Sequence, residues 1–327
     1  MKVVSLFSGC GGLDLGLIQA GHKVIWANDI YTDAAATYIN NIGTHVDQRD
    51  VRNISSSDIP DCDVIVGGFP CQGFSVANRN RNIDDIRNQL YRQMVRIIND
   101  KKPKFFIGEN VKGMMSLGGG KVLSIILSDF EKIGYNVQWK VVNAADYGVP
   151  QNRMRLIIFG VRKDLSFTDS AFQLKQTHAN PEQAKALKLQ PWKTVGEAVA
   201  HLPPPEKNND IPNHQCSKYK LRFNGHLGHR IIDPNKPSPT VTGRGDEKGG
   251  VVVLHHPSNK RRMTARELAA VQSFPDKFIF AGTKTSAYRQ IANAVPPLLG
   301  KAIGLMLSNA EKIAKKSSVN ATSTKTR

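Results

Sequence analysis

The stretch Val3-Val4-Ser5-Leu6-Phe7-Ser8-Gly9-Cys10-Gly11-Gly12-Leu13-Asp14-Leu15-Gly16 decides the fold. A short apolar run enters a glycine-rich turn and continues into residues with apolar side chains at helical spacing, which is the opening of a strand–turn–helix unit. The rhythm repeats to about residue 160. Apolar runs at 3–7, 24–27, 64–66, 105–108, 137–142 and 156–161 read as strands, and 13–20, 34–41, 90–98 and 122–133 as the helices between them. Such alternation predicts an α/β domain with a mostly parallel sheet, Rossmann-like and doubly wound because the crossovers are right-handed.

Further along, Val64-Ile65-Val66-Gly67-Gly68-Phe69-Pro70-Cys71-Gln72-Gly73-Phe74-Ser75 throws a lone cysteine off the end of a buried strand onto a glycine-flanked turn. Reactive groups of α/β folds sit at such strand ends. A thiol with a pKa of about 8.5 becomes a useful nucleophile only where N–H groups or cations favour its thiolate, and Arg79, Arg81 and Arg87 follow closely. An isolated intracellular cysteine is more often a small buried apolar residue. Here the flanking sequence decides otherwise.

The chain has 327 residues, 40% apolar and 22% charged, enough for two globular domains. Its net charge of +18 favours a polyanionic partner, nucleic acid first, because lysine and arginine bound to phosphates release condensed counterions. No apolar run is expected to reach the length needed to span a bilayer, and Met1-Lys2 leads straight into a strand without a signal-peptide layout, so a cytoplasmic protein is expected. Cys10, Cys62, Cys71 and Cys216 form no CxxC pair, which argues for a reducing compartment and no metal.

After about residue 164 the pattern dissolves. Leu202-Pro203-Pro204-Pro205 and Asn208-Asn209-Asp210 mark a loop-rich region that carries His214, Lys218, Lys220, Arg222, His226, His229, Arg230 and Thr240-Val241-Thr242-Gly243-Arg244-Gly245. Helical periodicity returns at 264–272 and 297–314. The expected division is a first domain of 1–185 and 283–327, with 186–282 forming a smaller second domain and hinge.

In this order, Phe7 to Gly16, Asn28-Asp29, Asp50, Pro70-Cys71-Gln72, Glu109-Asn110-Val111, Gln151-Asn152-Arg153-Met154-Arg155, Arg266-Glu267 with Gln272-Ser273-Phe274-Pro275, and Ala292-Asn293-Ala294-Val295 resemble the motif series of the DNA (cytosine-5) methyltransferases, bacterial restriction-modification type. The resemblance covers nearly the whole chain. One departure is Ala292, where the family usually has glycine. The resemblance implies Cys71 as the nucleophile on cytosine carbon 6, with the catalytic companions Glu109 as the acid at N3, Arg155 at O2 and Arg153 helping to hold the pocket or a phosphate. It implies an S-adenosyl-L-methionine site built from Phe7, Ser8, Gly9, Gly11, Gly12, Leu13, Asp29, Ile30, Asp50, Val51, Pro70, Asn293 and Val295. Gln72, Ser75, Arg79, Arg81, Thr240 and Arg244 would meet the DNA, residues 186–282 would recognise the target, and the arginine-containing segment 73–89 would close as a lid. Double-stranded DNA is the implied partner of a monomer, with a separate cognate restriction endonuclease. A tRNA cytosine-5 methyltransferase and a catalytically silent DNA-binding paralogue are the alternatives; intact Cys71, Glu109 and Arg155 speak against silence.

The residues themselves bear on the cofactor. Gly9 and Gly11 fit the opening of GxGxxG, but Asp14 occupies the third glycine position, where a carboxylate would repel a pyrophosphate and suit a cationic, phosphate-free ligand. No Gly-Lys-Ser/Thr follows, so a P-loop is excluded. Asp29, at the end of the second strand, is placed to bind ribose hydroxyls, with helix capping as its other possible role.

Overall fold

The computed structural model describes residues 1–70, 89–165, 172–206, 210–216, 230–242 and 254–323. Its centre is a seven-stranded sheet in the order β3-β2-β1-β4-β5-β7-β6, with β1 (Lys2–Leu6), β2 (Lys23–Asn28), β3 (Val46–Asp47), β4 (Val64–Gly67), β5 (Phe105–Val111), β6 (Tyr135–Asn143) and β7 (Met154–Arg162). Strands β1 to β5 pair in parallel, whereas β7 runs antiparallel to both neighbours. The helices α1 (Gly12–Gln19), α2 (Thr32–Asn41), α3 (Gln89–Lys101) and α4 (Lys121–Lys132) cross between strands, as the periodicity predicts. Strand β5 extends past the expected end at 108, because β7 keeps pairing with it as far as Val111 opposite Arg155. The two-residue β3 gave no periodic signal in the sequence.

Both faces of the sheet are buried, and alternate residues feed two cores. Val3, Val64, Val66, Phe105, Ile107 and Phe159 pack on one side with Leu13 and Leu17 of α1 and with Leu299, Ile303 and Leu307 of α9 (Pro297–Ser323). Val4, Ile65, Phe106 and Ile158 pack on the other with Met94, Ile97, Ile126 and Phe130 from α3 and α4. Helices α1 and α9 approach closely through glycine: a Cβ on Gly16 would run into the Pro297 carbonyl. Beyond the short α5 (Pro181–Leu187), a third core joins Val195 and Val199 of α6 (Val195–Val199), Leu268 and Val271 of α7 (Ala265–Val271), Phe274, Phe278 and Phe280, and Ile291 and Ala292 of α8 (Lys284–Asn293). Helix α8 thus shares its apolar side chains with the 186–282 region, and packing is continuous across the boundary expected at 282/283.

Contrary to the sequence expectation, residues 284–314 do have the length and hydropathy of a membrane span, although 67% of their most apolar window is buried in the protein. The stretch is broken between α8 and α9, and its apolar surface fills the first and third cores.

Asp14 has a place different from the one its position in the glycine run suggested. Its carboxylate is fully buried, accepts hydrogen bonds from Ser5 Oγ at 2.7 Å and Tyr38 Oη at 2.9 Å, and binds β1, α1 and α2 together. It does not line the cavity below. Burial pushes this carboxyl up from the ordinary 3.8 to about 6. Between those values the native protein holds a proton that the unfolded chain releases, so Asp14 makes stability fall as pH rises through that window. Asp14→Asn removes the titration and leaves an amide that still accepts from Ser5. Its stability relative to wild type, measured by urea unfolding, is expected to improve by roughly 2 kcal/mol between pH 4.5 and pH 7.5. A pH-independent difference would place the stored proton elsewhere.

Candidate active site

In the sheet order, neighbours reverse direction of progress between β1 and β4, and the crevice beyond the carboxyl ends of such strands is where open α/β sheets bind ligands. Register aligns two chain exits and one strand position there. Leu6 of β1 lies beside Gly67 of β4, and Gly67 beside Gly108 of β5, so the glycine turn and the Gly68-Phe69-Pro70 exit leave the sheet next to Glu109 of β5. They surround a cavity of about 740 Å³.

The glycine turn begins with backbone strain. Phe7 has φ of 53°, a left-handed conformation uncommon for a bulky residue, and Gly9 and Gly11 follow with φ of 56° and 88°. The turn is held from β2: Ser8 N–H donates to the Asn28 carbonyl at 2.9 Å, and Gly9 N–H donates to Asp29 Oδ2 at 2.8 Å. Asp29 Oδ1 accepts the Tyr31 N–H at 2.9 Å, but Tyr31 is itself the N-cap of α2 and no side chain caps that helix. Burial raises the Asp29 carboxyl above the ordinary value, and the two N–H donors oppose that shift.

Phe7, Ser8, Gly9, Leu13, Asp29, Ile30, Asp50, Val51, Pro70, Asn293 and Val295, all expected at a cofactor, line the cavity. Gly11 and Gly12 do not. Gly12 is needed for close approach, since a Cβ there would run into the Val295 carbonyl, and a Cβ on Gly11 would meet Ile42 and Tyr38. Asp50 is engaged by Arg52, whose Nε donates to Oδ1 at 3.0 Å, and this hydrogen bond holds the carboxyl below the ordinary range. Ile30 is 64% exposed at the cavity rim, an apolar surface suited to covering a flat base. Asp29, Asp50, the Phe7 ring and the exposed Ile30 thus share one wall, which offers hydroxyl acceptors beside apolar surface.

Opposite this wall lies an ion pair. Arg155 Nε is 2.8 Å from Glu109 Oε1, and both residues are buried. The other oxygen, Oε2, sits beneath Gly68: a Cβ there would lie 3.2 Å from it. Antiparallel β7 is what delivers Arg155 to this end of the sheet. Asn110 fixes the exit itself, donating to the Phe69 carbonyl at 2.7 Å and accepting the Val111 N–H at 2.9 Å. Phe69 and Pro70 lead directly to Cys71.

Cys71, Gln72, Ser75, Arg79, Arg81 and Arg244 lie outside the described residues, as does most of the 73–89 segment. Burial pushes the other cysteines upward: Cys10 and Cys62 to about 12, and Cys216 also above its ordinary value. None of these three is suited to act as a thiolate. Arg153, expected beside Arg155 to help hold the pocket or a phosphate, lines the cavity and sends its strongest hydrogen bonds to backbone. Its guanidinium, 1% exposed, donates to the carbonyls of Val241 at 3.0 Å, Ala292 at 2.6 Å and Ala294 at 2.9 Å. Burial, then the adjacent Arg155, lower its pKa, and Glu109 opposes this. Thr240 faces the cavity, but its hydroxyl is spent on the Asn152 carbonyl at 2.6 Å.

Sequence reasoning did not anticipate the contributions of Gln151, Gln272 and Arg266. Gln151 and Gln272 are fully buried and joined side chain to side chain at 2.9 Å. Arg266 donates to the carbonyls of Pro212, Pro275 and Phe278, closing the third core. Their presence in the quoted motifs was the available signal, but a glutamine or arginine in sequence does not say which carbonyl it meets. His214, in the region the sequence marks as loop-rich, is fully buried between Thr264 Oγ1 and the Pro203 carbonyl. Among the described residues no cluster of His, Cys, Asp and Glu is arranged to hold a metal ion.

Sheet order and the cavity at its switch point define an α/β protein of the Rossmann-like class with a ligand site at the carboxyl ends of its strands. The chain belongs to the C-5 cytosine-specific DNA methylase family, whose model matches residues 1–309. It is 39% identical over 323 residues to the Type II methyltransferase M.NgoFVII of Neisseria gonorrhoeae, covering 90% of this chain and 83% of that one. To M.BsuRI of Bacillus subtilis it is 36% identical, with 94% and 79% covered. Among solved structures, a prophage-encoded Escherichia coli protein assigned as a DNA modification methyltransferase superposes with a TM-score of 0.76 at 28% identity, covering 95% of this chain and 99% of that one. The protein is therefore a DNA (cytosine-5) methyltransferase that draws on a methyl donor, and the RNA-methylating alternative is not favoured.

Proposed function

We propose that the protein takes S-adenosyl-L-methionine as its donor and methylates a cytosine within a specific duplex sequence through a covalent adduct on Cys71. The observation that carries this reading is the convergence at one cavity of the Asp29-anchored glycine turn, the Glu109–Arg155 pair and the Phe69-Pro70 exit. Cytosine carbon 5 is a weak nucleophile, and a thiolate added to carbon 6 supplies the missing electron density. Charge then accumulates toward N3 and O2. In this reading Glu109 Oε2, on the Gly68 side, holds the proton shared with N3, while Arg155 stabilises O2. Bound S-adenosylmethionine supplies the electrophilic methyl group. Loss of the carbon-5 proton to a water then allows Cys71 to leave.

Because the reacting atoms are stacked inside duplex DNA, the base is rotated out into the cavity. Residues 186–282 choose the sequence, with Thr240 and Arg244 near the DNA, and the methylation protects DNA from a separately acting restriction endonuclease. Bisulfite sequencing of DNA incubated with the protein and S-adenosylmethionine tests activity and reads the target together. Absence of any protected cytosine would remove this function. The same sequencing of a chimera carrying residues 186–282 of a relative with another target tests the division of labour; an active chimera that keeps the original site would overturn it.

Asp29→Ala is expected to lower S-adenosylmethionine affinity at least about tenfold, because charge-assisted bonds are worth roughly 1.5–3 kcal/mol each. The variant also frees the Gly9 N–H that the carboxylate holds. Calorimetry with the cofactor alone reads the loss. Unchanged affinity would confine Asp29 to bracing the turn.

A further inference from the structure

Two segments of the cavity lining, distant in sequence, are tied through one buried side chain. Arg153 Nη2 holds the Ala292 and Ala294 carbonyls, and Nη1 holds the Val241 carbonyl. Asn293 and Val295, interleaved with the first pair, face the cavity, as does Thr240 next to Val241. A second tie runs in parallel. Gln151 Oε1 accepts the Val241 N–H at 2.9 Å, Gln151 Nε2 reaches Gln272 Oε1 at 2.9 Å, and Gln272 Nε2 donates to the Ile291 carbonyl at 2.6 Å. Both ties connect Val241 with the end of α8 through the residues just before β7.

The chemistry of the group makes this a transmitting contact. A guanidinium is a planar fork whose donors point in fixed directions, so moving one carbonyl rotates the others' donor out of line. Buried and charged, it cannot exchange a lost acceptor for water without penalty. Its Nε has no hydrogen-bond partner among the described residues, so no further contact braces the fork from that side.

We propose that Arg153 is a positioning residue that couples donor binding to sequence-specific DNA binding. Filling the cavity against Asn293 and Val295 fixes the Ala292 and Ala294 carbonyls, and through Arg153 these fix Val241 and the recognition segment it belongs to. The inference rests on the S-adenosylmethionine reading of the cavity. By linkage, the effect is the same in both directions.

The test uses the full chain and a duplex carrying the site read by bisulfite sequencing. Duplex affinity is measured by fluorescence anisotropy with and without saturating S-adenosylhomocysteine, and S-adenosylhomocysteine affinity by calorimetry with and without duplex. Wild type is expected to gain at least about fivefold in each direction, by one shared factor. Arg153→Met should bring that factor to within about twofold of unity while each ligand still binds alone, and Arg153→Lys should fall between. Gln272→Leu cuts the parallel tie with Arg153 intact and should also reduce the factor, which keeps the test open if Arg153→Met does not fold. A residue that only stabilises the fold would weaken the separate affinities and leave the factor unchanged. That result in the folded variants, or a wild-type factor of unity with S-adenosylhomocysteine bound, overturns the coupling. Wild type that binds no S-adenosylhomocysteine would remove the cofactor reading itself, and the coupling with it.

Discussion

Cys71→Ala is expected to abolish methyl transfer while leaving cofactor affinity and much of the DNA affinity in place. Without the thiolate there is no addition at carbon 6, and carbon 5 lacks the electron density to accept a methyl group. The expectation is sharpened by the other cysteines. Cys10 is buried with its thiol donating to the Gln290 carbonyl, and Cys62 and Cys216 are also held toward the thiol form, so none of them can substitute. DNA with 5-fluorocytosine at the target should trap the wild-type protein covalently, since fluorine does not leave as a proton does. Mass spectrometry of the trapped peptide decides the matter: an adduct on Cys10, Cys62 or Cys216 would overturn the mechanism.

Glu109→Gln should produce the next largest loss, a fall in the single-turnover methylation rate of about 10²- to 10⁴-fold, because an amide cannot pass a proton to N3. Cofactor affinity should hardly change, as Glu109 stands on the wall opposite Asp29. The substitution also removes the partner of a buried guanidinium, and breaking such a pair costs about 3–5 kcal/mol in many proteins. A double-mutant cycle with Arg155→Met, read by urea unfolding, isolates the stability cost of the lost pair from the loss of rate. If the single variant regains a near wild-type rate once its stability is restored, Glu109 serves only as the counter-ion of Arg155.

Much of the architecture was legible because its signals are local. Apolar runs of strand length, the glycine turn after residue 6 and helical spacing in 13–20 and 122–133 report on neighbours a few residues away, and these elements stand where the periodicity places them. The strained Phe7 and the close approach at Gly12 belong to the same turn that the sequence marked. Residues named by motif take different places: Asp29, Asn293 and Arg153 line the cavity, Arg153 while holding backbone carbonyls, whereas Gly11 and Gly12 serve packing.

By itself, then, the sequence determined the α/β class, the order of its elements and the strand end from which the Cys71 segment leaves, since each follows from short-range pattern and turn chemistry. Only the tertiary structure decided that Glu109 meets Arg155, through the antiparallel register of β7. It alone sank Asp14 beneath the glycine turn, where Ser5 and Tyr38 receive it, and carried the Arg153 fork between Val241 and Ala292. The physical reason is range. A side chain's partner across the sheet is set by long-distance strand pairing and by the need of buried polar groups for hydrogen-bond partners, and neither is written in the spacing of nearby residues.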